Sequence, residues 1–340
     1  MGGSIALALR EHGWHVTGDD LDAARVERAL IMGAIDVGGF DVGADITFVA
    51  TPVLSVVDQV KRVLAESTGL VTDVGSVKGG ITTAIDDPRF VGGHPMAGSE
   101  LEGFDGADAS MFEGAVWVLT PSSTTADSTF SQVAAIVAEL GADVVALPAD
   151  RHDQVVAVIS HVPHLAAATL MGLASDRAEE HAALLRLAAG GFRDMTRIAS
   201  GHPAIWLDIC AENRPAILSA LDGLIEGLAS MRDVVDRDDR AALFDRLQHA
   251  REARTNLPNR VNQPSELAEV RIPIPDRPGA AAGVFTLAAE LGVNIASFEV
   301  VHSVEGNRGV AVVLVDVATA DLFRGGLLAR GYRPAVQRLA

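Results

Sequence analysis

The first 150 residues alternate short β-type apolar runs with stretches of 3.6-residue apolar spacing. This order is typical of parallel βαβ units, in which a helix joins successive strands of one sheet. We therefore predict an α/β domain over residues 1–149. The predicted strands lie within 14–18, 45–52, 70–76, 89–98, 115–121 and 143–148, and helical spacing covers Ser55–Ser67 and Ser131–Leu140.

The pattern changes twice further along the chain. Over residues 150–256, Ala, Leu, Ile and Met recur at helical spacing with hardly any β-branched alternation, which predicts an all-helical domain. A polar, proline-containing linker is predicted at 257–266. Residues 267–340 show a β-α-β-β order followed by a weak last strand near the end of the chain, which predicts a small α+β module.

Charge and composition exclude several classes of protein. The formal net charge of −18 argues against binding to nucleic acid. No uninterrupted apolar run reaches the length of a membrane span, and no secretion signal opens the chain. The single cysteine, Cys210, cannot form an internal disulfide. These features predict a cytoplasmic protein with no membrane partner.

The start of the chain has part of a dinucleotide-binding pattern. Gly2 opens a periodic apolar helix, as the last glycine of such a fingerprint does. About 16 residues later, a strand ends before Asp20, whose carboxylate would bind the ribose hydroxyls and favour NAD over NADP; Asp19 is the second candidate. The sequence holds no first strand or first two glycines. We expect an empty central strand position, weak NAD binding and low solubility unless an upstream segment supplies them.

Two more loops follow predicted parallel strands at their carboxyl ends, where open α/β sheets bind ligands. One holds Ala50, Thr51 and Pro52, and the other runs from Thr72 to Lys78 through Asp73. Both could be plain turns. The second loop, however, has more polar chemistry than a turn requires, so we predict that Asp73 contacts the cofactor.

A third loop gives a specific resemblance. The stretch Gly93–Glu100 (GHPMAGSE) resembles the GHPxAG(T/S)E signature of the prephenate and arogenate dehydrogenase family, and the similarity spans residues 1 to about 250. Further matches follow in order: TDVGSVK at 72–78, His152-Asp153, SHVPH at 160–164, GFRDMTRIA at 191–199, and Trp206 with Glu212-Asn213. The resemblance implies NAD-dependent oxidative decarboxylation of prephenate to 4-hydroxyphenylpyruvate, in tyrosine biosynthesis.

The resemblance also implies residue roles. His94 would accept the proton of the substrate hydroxyl, and Ser76 would align that hydroxyl; the alternative for His94 is a structural histidine before a proline. Arg197 would hold a substrate carboxylate, with Asp194 supporting a neighbouring cation. An exposed helical ion pair is the alternative there. Ser99 and Glu100 close the signature and are predicted to bind substrate.

His152, His161 and His164 form a further group of predicted substrate residues. His161 and His164 are three apart on one helical face, beside Pro163, and such spacing can also bind a metal. No carboxylate or cysteine completes a ligand set in that helix, and the reaction needs no metal. We predict a substrate site without metal; plain structural histidines are the alternative.

The last module resembles the ACT domain, an amino-acid-sensing fold. The resemblance rests on Pro275–Gly279 followed by a helix and on Gly292–Ile295. It implies effector contacts from Asp276, Gly279 and Asn294, with L-tyrosine as the expected ligand. Ala280–Ala282 depart from the pattern, since a bulkier apolar residue normally opens the helix.

Three other functions remain open from the sequence. An arogenate dehydrogenase would share the whole scaffold. A β-hydroxyacid dehydrogenase relies on a helical lysine, and this chain has no lysine after Lys78. A catalytically impaired amino-acid sensor is the third. We expect a homodimer formed through the helical domain.

Overall fold

A computed structural model describes residues 1–99, 103–178, 188–257, 267–275, 277, 279–302 and 308–338. The predicted site residues Glu100 and Asp276 lie outside this set. The chain forms two compact units, Met1–Asp238 and Asp239–Ala340. Each is described by itself.

A five-stranded sheet forms the centre of the first unit, in the order β3-β4-β5-β6-β7. All neighbours are parallel except β5 and β6, which pair antiparallel. The expectation of parallel pairing throughout was therefore wrong at β6. The described residues between β5 and β6 form only two 3₁₀ turns, at Gly103–Gly106 and Ala109–Phe112, and contain no crossover helix. The strands are β3 (Ile46–Val49), β4 (Leu70–Asp73), β5 (Phe90–Pro95), β6 (Val116–Thr120) and β7 (Asp143–Ala146).

The first two strands form a separate sheet. β1 (Thr17–Gly18) pairs in parallel with β2 (Val37–Gly38), and within the described residues no strand joins β1 to β3. Helix α1 (Gly2–Glu11) instead packs Ile5 and Leu9 into the main core beside Trp117. Val16, Ala34 and Ile35, which flank these two strands, lie in the same core, so packing as well as strand pairing holds the strands in place.

Four further helices complete this half of the unit: α2 (Ala23–Ile31), α3 (Val53–Glu66), α4 (Gly79–Ala84) and α5 (Asp127–Glu139). α3 buries Val56, Val60 and Val63 on one face, as the apolar spacing of the sequence predicts. α2 and α4 were missed. α2 is nine residues long and buries only Ala29, and α4 is six residues long and opens with two glycines, so each gives only a short apolar pattern.

The rest of the first unit is helical. A π-helical turn, Ala157–His161, joins α6 to α7. Pro163 explains this turn, because proline has no N–H to donate to the carbonyl of Ile159 and the helix must widen locally. The helices are α6 (Ala149–Val156), α7 (Val162–Ala178), α8 (Gly190–Thr196), α9 (Pro203–Glu212) and α10 (Arg214–Asp236), with a 3₁₀ turn at Arg197–Ser200.

The continuous helical stretch Ala149–Arg177 is apolar and long enough to cross a membrane by length and composition. The sequence pattern did not predict a helical stretch of this length, because the stretch consists of three elements, α6, the π-helical turn and α7, that follow one another without a break. Its buried residues include the charged side chain of Asp153 and three histidines. Buried polar groups with protein partners are typical of a helix in a protein core, and such a helix can match a membrane span in length and composition.

The second unit begins with α11 (Arg240–Thr255), which the sequence pattern assigns to the preceding helical domain. A four-stranded antiparallel sheet follows, in the order β11-β8-β10-β9. Two helices pack on it, burying Phe323 against Ile272 and Val313. The second of these helices was not predicted. The elements are β8 (Leu267–Pro275), α12 (Ala282–Leu291), β9 (Ile295–His302), β10 (Arg308–Asp316), α13 (Val317–Ala329) and the short β11 (Ala335–Arg338).

Candidate active site

A buried ion pair lies at the carboxyl end of β4. Lys78 and Asp73 are both fully buried, and Lys78 Nζ donates to Asp73 Oδ2. The backbone N–H of Gly75 donates to the same oxygen at 2.8 Å, and that of Gly93 donates to Oδ1 at 3.2 Å. Burial lowers the pKa of Lys78, while the carboxylates of Asp73 and Asp153 act in the opposite direction.

These contacts correct the prediction for Asp73. Its carboxylate has no exposed surface and is already held by three donors, so it cannot also contact a cofactor. It instead ties the loop after β4 to the middle of β5. Ser76 lies in that loop, half-buried, between Gly75 and Lys78.

Strand β5 passes this ion pair closely because of two glycines. A Cβ at Gly93 would lie 2.6 Å from the carbonyl oxygen of Asp73, and one at Gly92 would lie 2.4 Å from Thr120 Oγ1. Real Cβ atoms do not approach other heavy atoms this closely. Gly92 and Gly93 therefore let β5 bring the next residue, His94, against the ion pair.

His94 is the first member of a buried hydrogen-bonded chain. Its Nδ1 lies 2.8 Å from Nε2 of His152, and Nδ1 of His152 lies 2.8 Å from Oδ1 of Asp153. The carboxylate of Asp153 also accepts the backbone N–H groups of Lys78 at 2.8 Å and Gly79 at 2.7 Å. The chain thus connects β5, the loop after β4 and helix α6.

The surroundings of His94 keep its imidazole neutral. Burial is the main cause of a pKa well below the usual 6.5, and the electrostatic interactions with His152, Lys78 and His161 lower it further. A neutral imidazole at working pH has a lone pair with which to accept a proton. His94 is therefore suited chemically to act as a general base.

Asn213 connects this hydrogen-bonded chain to a third histidine. Its Nδ2 donates to the carbonyl oxygen of Asp153 at 2.8 Å and lies 3.2 Å from Nδ1 of His161. Burial lowers the pKa of His161 to about 4. The structure buries Asn213 within this network.

Trp206 packs against the two histidines of the π-helical region. The ring of His164 stacks on it with centroids 3.5 Å apart, and His161 meets it edge-on at 6.1 Å. Burial also lowers the pKa of His164. His152 and His161 are almost fully buried, so of the three predicted substrate histidines His164, at 8% exposed, is the most accessible.

The segment with Arg197 lies beside His164. Asp194 and Arg197 do not share one α-helix, because α8 ends at Thr196 and Arg197 opens a 3₁₀ turn. Asp194 and Arg197 are exposed, as is Ser99 of the signature. A Cβ at Gly201, directly after this turn, would lie 3.3 Å from Cε1 of His164.

The predicted cofactor residues gather near the start of α1. Gly2 opens this helix, no side chain of the described residues caps its first N–H groups, and a Cβ at Gly2 would lie 3.2 Å from Cβ of Ala50. Thr51 and Pro52 continue that loop, and Pro52 precedes α3. Free N–H groups at a helix start suit a pyrophosphate.

An acidic pair follows β1. Asp20 is exposed, with one oxygen accepting the N–H of Asp22 at 2.9 Å and the other 3.8 Å from Arg25. Asp19 lies 3.5 Å from Arg62. The Asp20 carboxylate keeps acceptor capacity for a ribose diol, so the residues present fit NAD. Among the described residues, no group of three or more ligand side chains is arranged for a metal ion.

Comparisons with protein families match two segments of the chain. The family described as "Prephenate dehydrogenase, nucleotide-binding domain" matches residues 5–146. The family described as "Prephenate dehydrogenase, dimerization domain" matches residues 148–249. The first covers the sheet that positions His94, and the second covers the helices that position His152, Asp153 and Asn213.

Individual relatives agree with this match. The chain is 32% identical to prephenate dehydrogenase of Bacillus subtilis (strain 168), covering 91% of this chain and 88% of the relative. A crystal structure of prephenate dehydrogenase from Aquifex aeolicus with hydroxyphenyl propionate and NAD+ is similar with a TM-score of 0.72 and 29% identity, over 76% of this chain and 95% of that one. The crystal structure of arogenate dehydrogenase from Synechocystis is similar with a TM-score of 0.65 and 28% identity, over 74% of this chain and 94% of that one.

Proposed function

The chain belongs to the prephenate dehydrogenase family, and we propose that it acts on prephenate rather than arogenate. It is an NAD-dependent oxidoreductase of tyrosine biosynthesis. The reaction is prephenate plus NAD+ giving 4-hydroxyphenylpyruvate, CO₂ and NADH. The observation that carries the site assignment is the buried, neutral His94 at the end of the hydrogen-bonded chain to Asp153.

NAD, when bound, supplies the hydride acceptor. His94 accepts the proton of the ring hydroxyl as hydride leaves the same carbon, and Ser76 orients that hydroxyl. The bond from the ring to its carboxylate then breaks, and its electrons complete the aromatic ring. The phenol oxygen takes the proton back from His94, so no net proton is released. Arg197 and His164 hold the substrate, with Ser99 and Glu100 as further contacts.

Turnover of the two substrates tests this function directly. The purified chain with NAD should produce NADH from prephenate with a higher kcat/KM than from arogenate. An opposite ratio assigns arogenate as the substrate. Absence of NADH formation with both compounds, in protein that is folded and binds NAD, leaves the impaired amino-acid sensor as the remaining function.

Arg197→Ala should chiefly weaken substrate binding. A charge-assisted contact to a carboxylate is lost, and because Arg197 is exposed in the free protein we expect KM for prephenate to rise by about 10- to 10²-fold. NAD affinity should not change. Arg193→Ala is the matched control, since Arg193 donates to the carbonyl of Ala188 within its own segment. An unchanged KM together with weak NAD binding assigns Arg197 to the cofactor site.

Asp20 is proposed as the group that selects NAD. Its carboxylate accepts ribose hydroxyls and repels a 2′-phosphate, so Asp20→Ala should raise kcat/KM for NADP relative to NAD by about tenfold. Asp19→Ala is the control, because Asp19 is paired with Arg62. If Asp19→Ala alone relaxes the preference, the ribose contact belongs to Asp19.

A homodimer is supported by the matched dimerization domain and by exposed apolar side chains on its helices. Ile205 and Leu207 on α9 and Ile225 and Leu228 on α10 are each at least 60% exposed. We propose that a second copy of the chain covers them. We also propose that the protein is cytoplasmic, because its single cysteine cannot form an internal disulfide.

The second unit is proposed as an ACT module that binds L-tyrosine. Its β-α-β-β-α-β order and antiparallel sheet support this fold. A small cleft lies at the loop between β8 and α12, lined by residues that include Ile274, Arg277 and Gly279, while Asn294 is exposed just before β9. Calorimetry on the full chain should detect L-tyrosine and not L-alanine. If titration with tyrosine and with phenylalanine both give no heat of binding, the module has a structural role and binds neither amino acid.

A further inference from the structure

The hydrogen-bonded chain behind His94 determines which ring nitrogen carries each proton. It starts at Asp153, whose carboxylate accepts two backbone N–H groups, from Lys78 and Gly79. A backbone N–H can only donate, so Asp153 acts here as an acceptor. Its third partner, Nδ1 of His152, must therefore donate to Oδ1 across 2.8 Å.

A neutral imidazole has one N–H and one lone pair. When Nδ1 of His152 donates to Asp153, its Nε2 carries the lone pair. This Nε2 lies 2.8 Å from Nδ1 of His94, which must then be the donor. The remaining nitrogen of His94, Nε2, is left unprotonated.

On this geometry, and resting on the proposed function, we propose that His152 and Asp153 are positioning residues that hold His94 in the tautomer whose Nε2 accepts the substrate proton. His152 has no exposed surface and lies behind His94, so it does not touch the substrate. This differs from the substrate contact that the sequence predicts for His152. Both rings are held by packing as well, since they meet edge-on at 5.0 Å.

The charged and titratable groups around the two rings come from three elements. Lys78 and Asp73 lie in and before the loop after β4, Asp153 is on α6, and His161 is on the π-helical turn. When His94 takes up the proton, Asp153 is the carboxylate connected to it through His152, and Lys78 is already paired with Asp73. The chain thus supplies a counter-charge to the imidazolium that forms.

Two replacements of His152 separate positioning from substrate binding. His152→Leu removes the acceptor for Nδ1 of His94, and kcat should fall by roughly 10- to 10²-fold, as when an outer partner of a functional imidazole is lost. His152→Gln can still accept from His94 through its carbonyl and donate to Asp153 through its amide, so it should restore most of kcat. KM for prephenate should stay at the wild-type value in both.

A spectroscopic measurement tests the tautomer in the wild-type chain. In protein labelled with ¹⁵N at histidine, the His94 signals, assigned by their loss in His94→Asn, should show Nδ1 protonated and Nε2 unprotonated at neutral pH. This measurement also decides the question if His152→Leu fails to fold. Because it needs no turnover, it remains decisive even if the wild-type chain is inactive on prephenate, a result that would overturn the proposed function alone.

Three results would overturn the inference. One is a protonated Nε2 on His94, which a doubly protonated His152 would produce. Another is wild-type kcat in His152→Leu. The third is a raised KM with unchanged kcat in both variants, which would make His152 a substrate contact.

Discussion

Replacing His94 by asparagine should lower kcat by about 10²- to 10⁴-fold, the range for loss of a general base. An amide has no lone pair basic enough to take a proton near neutral pH. Asparagine can still donate from its side-chain N–H₂ toward Nε2 of His152, so the partner ring keeps a hydrogen bond. The fold and NAD affinity should therefore survive, and steady-state kinetics with prephenate would isolate the lost chemistry.

The pH profile of the wild-type enzyme gives an independent check on His94. Its pKa is well below 6.5 in the folded protein, so the base is lost only when pH falls through that lower value. The acidic limb of kcat/KM should therefore lie below pH 6.5. His249→Asn, at an exposed histidine on α11, should leave kcat unchanged. Wild-type turnover in His94→Asn would remove His94 from the chemistry.

Apolar spacing was enough to find most of the fold. All six β-type runs of the first 150 residues contain an observed strand, because most of these strands are short apolar runs bounded by turn residues; the two-residue β2 was missed. The antiparallel direction of β6 was missed because a run of apolar residues does not show which way a strand runs relative to its neighbour. Only the length and content of the connection after Pro95 could have indicated it.

The site was predicted less completely than the fold. His94 was found because its loop resembles a family signature, but Lys78 and Asp153 were given no role. Their role depends on burial, and a charged residue next to a strand is usually exposed. One signal was available: the sequence has two lysines, and Lys78 directly follows a strand-end loop with a second charged residue.

Lys78→Met should destabilise the protein by about 3–5 kcal/mol, the cost of breaking a buried ion pair by removing one partner. Methionine has a similar length, so the packing near Gly92 can be kept, while Asp73 loses its ammonium partner in a fully buried place. Denaturant unfolding measures the loss. Lys61→Met is the matched control, because Lys61 is exposed on α3 and is the other lysine of the chain.

A double variant separates charge from packing. In Asp73→Asn/Lys78→Met the buried site has no formal charge, and the asparagine carbonyl can still accept an N–H from Gly75 or Gly93. The double variant should therefore be more stable than Lys78→Met alone, although it has one more substitution. If the losses of unfolding free energy in Asp73→Asn and Lys78→Met simply add in the double variant, the ion pair does not stabilise this loop. The hydrogen bonds of Asp73 to Gly75 and Gly93 then stabilise it by themselves.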